Sequence, residues 1–194
     1  MKNNELSVRG KTFELVLISL MGAVVVISAR LSLSVGPVPI TMQTMAVLLT
    51  GLVLGTRIGW LVPALYLLMG LLGFPVFAGG GGIGYLFKPS FGFILGFIPA
   101  AYLSGFVYRQ KWFRRDYLNV ITAALIGDTV IYLFGLGYIP LAAVFFGSEL
   151  AVLAAILPGL PFMLLGEVFK IMGLALVVPL LVQELEKARQ SVNG

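Results

Sequence analysis

The chain contains no cysteine and no histidine among its 194 residues, and only 11% of them are charged. Without cysteine there are no disulfides and no thiol nucleophiles; without histidine there is no imidazole base. The common zinc and haem ligand sets go with them. A soluble domain is typically about 25% charged, so the shortage of charge excludes an ordinary soluble enzyme. Apolar residues fill the space instead: 59% of the chain is hydrophobic and its mean hydropathy is +1.04. That composition defines an integral membrane protein. The net charge of +5 does not signal nucleic acid, because the basic residues separate apolar runs rather than line a soluble basic face.

A spanning helix needs roughly 20 apolar residues. Six stretches meet or approach this, at Phe13–Leu33, Pro39–Gly55, Ile58–Leu72, Phe91–Val107, Leu118–Leu136 and Pro161–Val182. The sequence thus predicts an all-α membrane protein of six transmembrane helices. The stretch Tyr138–Leu157 is long enough for a seventh, but Gly147, Ser148 and Glu149 divide it into pieces that read as interfacial or re-entrant, with Ser148 and Glu149 suited to a helix start.

Basic residues set the orientation. With six spans and the N-terminus inside, the inner segments hold Lys2, Arg9, Lys11, Arg57, Arg109, Lys111, Arg114, Arg115, Lys187 and Arg189. The outer loops hold Arg30 and Lys88. Both termini are therefore expected in the cytoplasm. The polar start, MKNNELSVRGK, leads into a full-length span without a small-residue cleavage site and does not read as a removable signal. RQKWFRRD, Arg109 to Asp116, reads as a basic cytoplasmic loop with Trp112 and Phe113 at headgroup depth, or as a docking surface for a cytoplasmic partner.

Four groups of residues are candidates for binding. GGGGIG, Gly79 to Gly84, lacks the GK[ST] ending of a nucleotide-triphosphate loop, so ATP hydrolysis by this chain is not expected. Its glycines, Gly82 among them, suit either a structural turn or a loop that closes over a ligand. In GPVPITMQT, Gly36 to Thr44, the prolines keep the chain extended, Thr41 can cap the next helix, and Gln43 can both donate and accept to an amide- or urea-like ligand or simply solvate the helix end. Asp128 lies midway along the fifth stretch, and Glu167 and Lys170 lie in the sixth, on one helix face at i and i+3. A charge at the centre of a membrane costs about 2.5–3.5 kcal/mol, so such residues face an interior or a cavity. They form either a helix-locking ion pair or a polar ligand site. Ser19 and Ala23, with Gly22, make a small-residue patch on the first span that serves close packing within the chain or docking to another membrane subunit.

GPVPITMQT, the run YLLMGLLGFPVFAGGGGIGYL (Tyr66 to Leu86), PSFGFILGF (Pro89 to Phe97) and GEVFK (Gly166 to Lys170) together resemble the BioY family, the biotin-binding S-components of energy-coupling factor transporters. The resemblance runs from about Leu15 to Val182. It implies the S-component fold as a single substrate-binding domain over residues 1–194 in a prokaryotic plasma membrane. It further implies high-affinity capture of biotin from outside, with no cofactor or metal, no nucleic acid and no catalysis. The implied partners are a transmembrane coupling protein and two ATPase subunits. Glu167 and Lys170 fall on the family's acidic residue and lysine, with glutamate standing where aspartate is usual, and Asp128 near a position commonly occupied by asparagine. The expected pocket has Glu167 and Lys170 as its polar floor, Gln43, Thr41 and Asp128 as further hydrogen-bonding groups, and Tyr85 against the apolar rings, with the loop of Gly82 folded over. Ser19 and Ala23 would meet the coupling protein. Competing readings are the same fold binding another carboxylated vitamin such as lipoate, a lipid-directed membrane enzyme with Glu167 or Asp128 as base, and a purely structural membrane subunit.

Overall fold

In a computed structural model, residues 2–33, 38–146 and 159–193 are described. Helix α1 spans Lys2–Arg30 and leads into two short antiparallel strands, β1 (Ser32–Leu33) and β2 (Ile40–Thr41), which pair Ser32 with Thr41 and Leu33 with Ile40. Helices α2 (Gln43–Leu54) and α3 (Leu61–Leu71) follow, then a 3-10 helix at Ile83–Phe87. The long helices α4 (Phe91–Gln110), α5 (Asp116–Phe146) and α6 (Leu160–Asn193) complete the described chain.

The protein is a multi-pass membrane protein, and among the described residues four helical segments are long and apolar enough to cross a bilayer: Gly10–Arg30, Phe91–Gln110, Asp116–Ala143 and Pro161–Ser191. At 12 and 11 residues, α2 and α3 are shorter. At about 1.5 Å per residue, each reaches little more than half of a ~30 Å hydrocarbon core. Nearly every residue of α2 is buried, from Gln43 and Thr44 through Val47 and Leu48 to Leu54. Protein rather than lipid surrounds it, so its ends can terminate inside the fold without exposing backbone to hydrocarbon.

Glycine sets how closely α4 and α5 approach. A Cβ on Gly92 would sit 2.2 Å from the Cβ of Tyr138, and one on Gly135 would sit 2.4 Å from the Phe93 ring. A Cβ on Gly127 would likewise fall 2.5 Å from Leu48 of α2. These contacts replace side-chain bulk with backbone proximity, the usual way helices associate where no hydrophobic driving force separates protein from lipid.

The same packing revises the expected end of the fifth stretch. The helix does not stop at Leu136 but continues through Tyr138, Pro140 and Ala143 to Phe146. The run Gly135-Leu136-Gly137 reads as a breaker in isolation, yet Gly135 is required where Phe93 leans on α5. Ile139, Ala142 and Ala143 are buried, and the Tyr138 hydroxyl donates to the carbonyl of Leu86. Tyr138 to Phe146 is thus part of α5 and not a separate interfacial piece. Ser148 and Glu149 lie outside the described residues.

On the opposite flank α6 extends past Val182 to Asn193, carrying Glu184, Glu186, Lys187 and Arg189 beyond the apolar stretch. Between α4 and α5, Asn119 pins the basic loop by accepting from the Phe113 N–H and donating to the Phe113 carbonyl, both at 2.9 Å. Lys111 pairs with Asp116 across the same turn. Trp112 and Phe113 are exposed, as residues of the headgroup layer would be.

Candidate functional site

The first turn of α2 faces α6 across the interior. From α6, Glu167 and Lys170 point to the same spot because three residues return a helix to nearly the same face. Their side chains meet at 2.7 Å from Lys170 Nζ to Glu167 Oε1, and both are almost fully buried. Thr44 of α2 closes the group. Its hydroxyl accepts from Lys170 Nζ at 2.9 Å and donates to the Glu167 carboxylate, at 2.8 Å from Oε2 and 3.0 Å from Oε1. A charge pair removed from water is tolerable when its remaining donors and acceptors are occupied, and the threonine supplies one of each.

Asp128 approaches this group from α5. It is 8% exposed and interacts electrostatically with both Glu167 and Lys170. Its Oδ1 is a buried side-chain atom with no hydrogen-bond partner among the described residues. An unsatisfied buried polar atom typically costs about 1–3 kcal/mol, so Asp128 stands ready to receive a donor. Tyr132, one helical turn onward, also interacts with Glu167 and Asp128.

Above the group lies a cavity. Thr41, Gln43 and Thr44 line it from the hairpin and α2, Tyr85 and Ala78 from the glycine-rich loop region, Phe93 and Phe97 from α4, Tyr132 from α5 and Glu167 from α6. The mixture is mainly apolar and aromatic with a few convergent polar groups, the usual make-up of a small-molecule site. The Gln43 amide is oriented: Nε2 donates to the Tyr66 hydroxyl at 2.6 Å, while the Tyr66 hydroxyl reaches the Val76 carbonyl at 3.3 Å. That leaves Oε1 of Gln43 as the acceptor to offer, with a 3.5 Å approach from the Thr41 hydroxyl.

The glycine-rich loop lies between Ala78 and Tyr85, which both line the cavity. Gly80 and Gly82 have φ of +112° and +95°, where side-chain-bearing residues are strained. A Cβ on Gly81 would lie 2.1 Å from the Phe74 carbonyl oxygen. These turns deliver the 3-10 helix that buries Tyr85, whose ring packs against Phe77 at a tilt of 50° and a centroid distance of 4.5 Å. Lys88 lies over the other side of Tyr85 and donates to the Gly79 carbonyl at 3.0 Å. At the far edge Arg30 donates to the Pro75 carbonyl, joining the end of α1 to the segment after α3.

Of the residues singled out in the sequence, Glu167, Gln43, Thr41 and Tyr85 line the cavity directly. Gly82 begins the 3-10 helix that positions Tyr85. Asp128 interacts with Glu167 without lining the cavity, and Lys170 lines a second, more open groove with Arg30, Met45 and Phe169 while bonding to Glu167 and Thr44. Thr41 does not occupy the cap position of α2, which is Met42, yet its hydroxyl accepts the Gln43 N–H at 3.2 Å and so serves the first helical residue. Ser19 and Ala23 are exposed on α1 beside Leu15, Val16, Leu20 and Ile27, and nothing lies within 4 Å of where a Gly22 Cβ would be. That patch therefore faces away from the other described helices. Sequence reasoning missed Thr44 and Tyr66, both of which orient the residues it found.

The arrangement is that of a membrane-embedded binding protein of the S-component fold. A solved S-component for biotin from an ECF-type ABC transporter superposes with a TM-score of 0.72 over 92% of each chain, at 24% identity. The description "BioY family" belongs to the family model that matches residues 1–187. A probable biotin transporter BioY of Pyrococcus horikoshii is 38% identical over 149 residues, 76% of this chain and 85% of that one. The biotin transporter BioY of Thermotoga maritima is 34% identical over 123 residues, 63% of this chain and 71% of that one. The chain belongs to the BioY family.

Proposed function

We propose that this chain is the substrate-binding subunit of an energy-coupling factor transporter and that it captures biotin in the cavity above Glu167. The observation that carries the reading is the Thr44–Glu167–Lys170 group, buried beside a pocket that Ala78 and Tyr85 line from either side of the glycine-rich loop, with Asp128 unsatisfied nearby. Biotin joins a hydrogen-bonding urea and an apolar bicycle to a carboxylate. The urea N–H groups suit Gln43 Oε1 and the carboxylates, while Tyr85, Phe93, Phe97 and Tyr132 suit the rings. Lys170, bonded to Glu167 and Thr44 between this cavity and the neighbouring groove, is the cation that suits the ligand's carboxylate. Names of relatives such as biotin transporter BioY support this ligand.

In this reading residues 1–194 form one domain that crosses the membrane six times, with α2 and α3 as the two short crossings and both termini cytoplasmic. Supporting the orientation, Arg57, Arg109, Lys111, Arg114, Arg115, Lys187 and Arg189 gather at one end, opposite Arg30 and Lys88. The chain performs no catalysis; energy comes from a transmembrane coupling protein and two ATPase subunits, the former docking on the face of α1 that carries Ser19 and Ala23. Isothermal titration of the purified chain with biotin and with lipoate tests the ligand. Saturable heat with biotin and much weaker competition by lipoate are expected; no biotin heat, or equal competition, rejects it.

A further inference from the structure

Another cavity opens at the other end of the helix bundle, far from Glu167 along α6. Its walls are Leu52 and Val53 at the end of α2, Tyr108, Arg109 and Lys111 at the end of α4, and Val182, Leu185, Glu186 and Arg189 of α6. Three cations thus face one carboxylate. Lys111 is partly answered by Asp116 and rests over the Tyr108 ring at 4.1 Å. Arg109 has no hydrogen-bond or ion-pair partner among the described residues, and neither has Arg189.

The position of Arg109 is built rather than incidental. Its guanidinium lies against Gly55, where a Cβ would fall 1.9 Å from Nη2, and Gly55 has φ of +77°. A glycine there is what lets the cation reach the C-terminal end of α2. The walls change character with depth: Leu52, Val53, Val182 and Leu185 continue the apolar interior, while the cations stand at the rim. Nearby, Trp112 and Phe113 are exposed on the adjoining loop, and Trp60 is exposed at the start of α3, which places this end at headgroup depth.

We propose that this cavity binds the phosphate headgroup of an anionic phospholipid, with Arg109 and Arg189 holding the phosphate and the acyl chains lying along the apolar wall. A phosphate oxygen is the natural partner for a guanidinium fork, and basic pockets between helices at the membrane surface are suited to such headgroups. Apolar walls directly beneath the cations favour an amphiphile over free phosphate. The inference uses the proposed topology only to assign the leaflet, as cytoplasmic; the site itself does not depend on biotin.

The test uses the full-length chain in neutral detergent, with native mass spectrometry and thermal shift as readouts. Its probes are phosphatidylglycerol, phosphatidylcholine of the same acyl chains, and inorganic phosphate. Phosphatidylglycerol is expected to be retained and to stabilise the protein in preference to phosphatidylcholine. Arg109→Gln/Arg189→Gln should weaken that binding roughly 10- to 30-fold, while Arg114→Gln/Arg115→Gln, on the loop outside the cavity, leaves it within about twofold. If the double variant does not fold, Arg189→Gln alone, at the end of α6, should still weaken the lipid about fivefold. Equal retention of the two lipids, or an unaffected double variant, overturns the site. Stabilisation by inorganic phosphate but not by phosphatidylglycerol overturns the lipid in favour of a soluble anion. Biotin titration of the same samples reads separately: a chain that binds the lipid but not biotin contradicts the proposed function and leaves this site standing.

Discussion

Thr44 and Lys170 are separated by 126 positions in the chain and by 2.9 Å in space. That one hydrogen bond ties the start of α2 to α6, and because the same hydroxyl also donates to Glu167, it fixes the direction in which the charge pair presents itself to the cavity. Removing the hydroxyl while keeping the shape isolates this role. Thr44→Val should weaken biotin binding roughly 10- to 150-fold, in line with the ~1.5–3 kcal/mol of a hydrogen bond to a charged group, whereas Thr44→Ser should stay near wild type. Parallel titrations of the two variants make the comparison.

The glycine-rich loop gives a test within three neighbouring glycines. Gly81→Ala drives a Cβ to 2.1 Å from the Phe74 carbonyl oxygen, and Gly82→Ala forces a side chain onto φ of +95°. Gly84 has nothing within 4 Å. The first two substitutions should accelerate biotin release about tenfold or more, and Gly84→Ala should leave it unchanged within about twofold, since strain of this kind costs of order 1–3 kcal/mol. Dissociation of labelled biotin after dilution measures it.

Between α4 and α5 the prediction concerns stability. Gly135→Ala places a methyl 2.4 Å from the Phe93 ring, which also lines the cavity. Overpacking of a close helix pair typically costs about 1–3 kcal/mol, so the melting temperature in detergent should fall by several degrees. Gly137→Ala, with open space around it, should leave the melting temperature where it is.

A fourth prediction separates capture from transport. Ser19 and Ala23 point away from the described helices, so Ser19→Trp/Ala23→Trp should preserve biotin binding by the isolated chain. Co-purification with the transmembrane coupling protein should be lost. Loss of binding together with loss of co-purification would place these residues in the fold and not at a partner interface.

Much of this was legible in the sequence because charge is expensive in lipid. Glu167 and Lys170 stood out for that reason, and their i, i+3 spacing implied the shared face that the 2.7 Å contact realises. Thr44 carried no such signal: a threonine at the start of a helix is ordinary, and only the fold brings α6 to it. Tyr66 was hidden likewise, as one aromatic in an apolar run. Hydropathy also cannot distinguish burial by lipid from burial by protein, so the stretch from Pro39 to Gly55 gave no sign that α2 is a short helix enclosed by its neighbours. The end of α5 was obscured by a different confusion. The fifth stretch was expected to end at Leu136, and only the position of Phe93 shows why Gly135 belongs inside a helix that continues to Phe146.

The central claim is that the buried Glu167–Lys170 pair is the polar base of a biotin site. Equilibrium binding of labelled biotin to the wild type and to Lys170→Ala, each checked for folding by its melting profile, tests it most directly. Truncating one partner of a buried pair strands the other and removes the cation offered to the ligand, at a cost of about 3–5 kcal/mol. The account predicts saturable wild-type binding and a loss of at least about 100-fold in the variant. Equal affinity in a folded Lys170→Ala chain would contradict it.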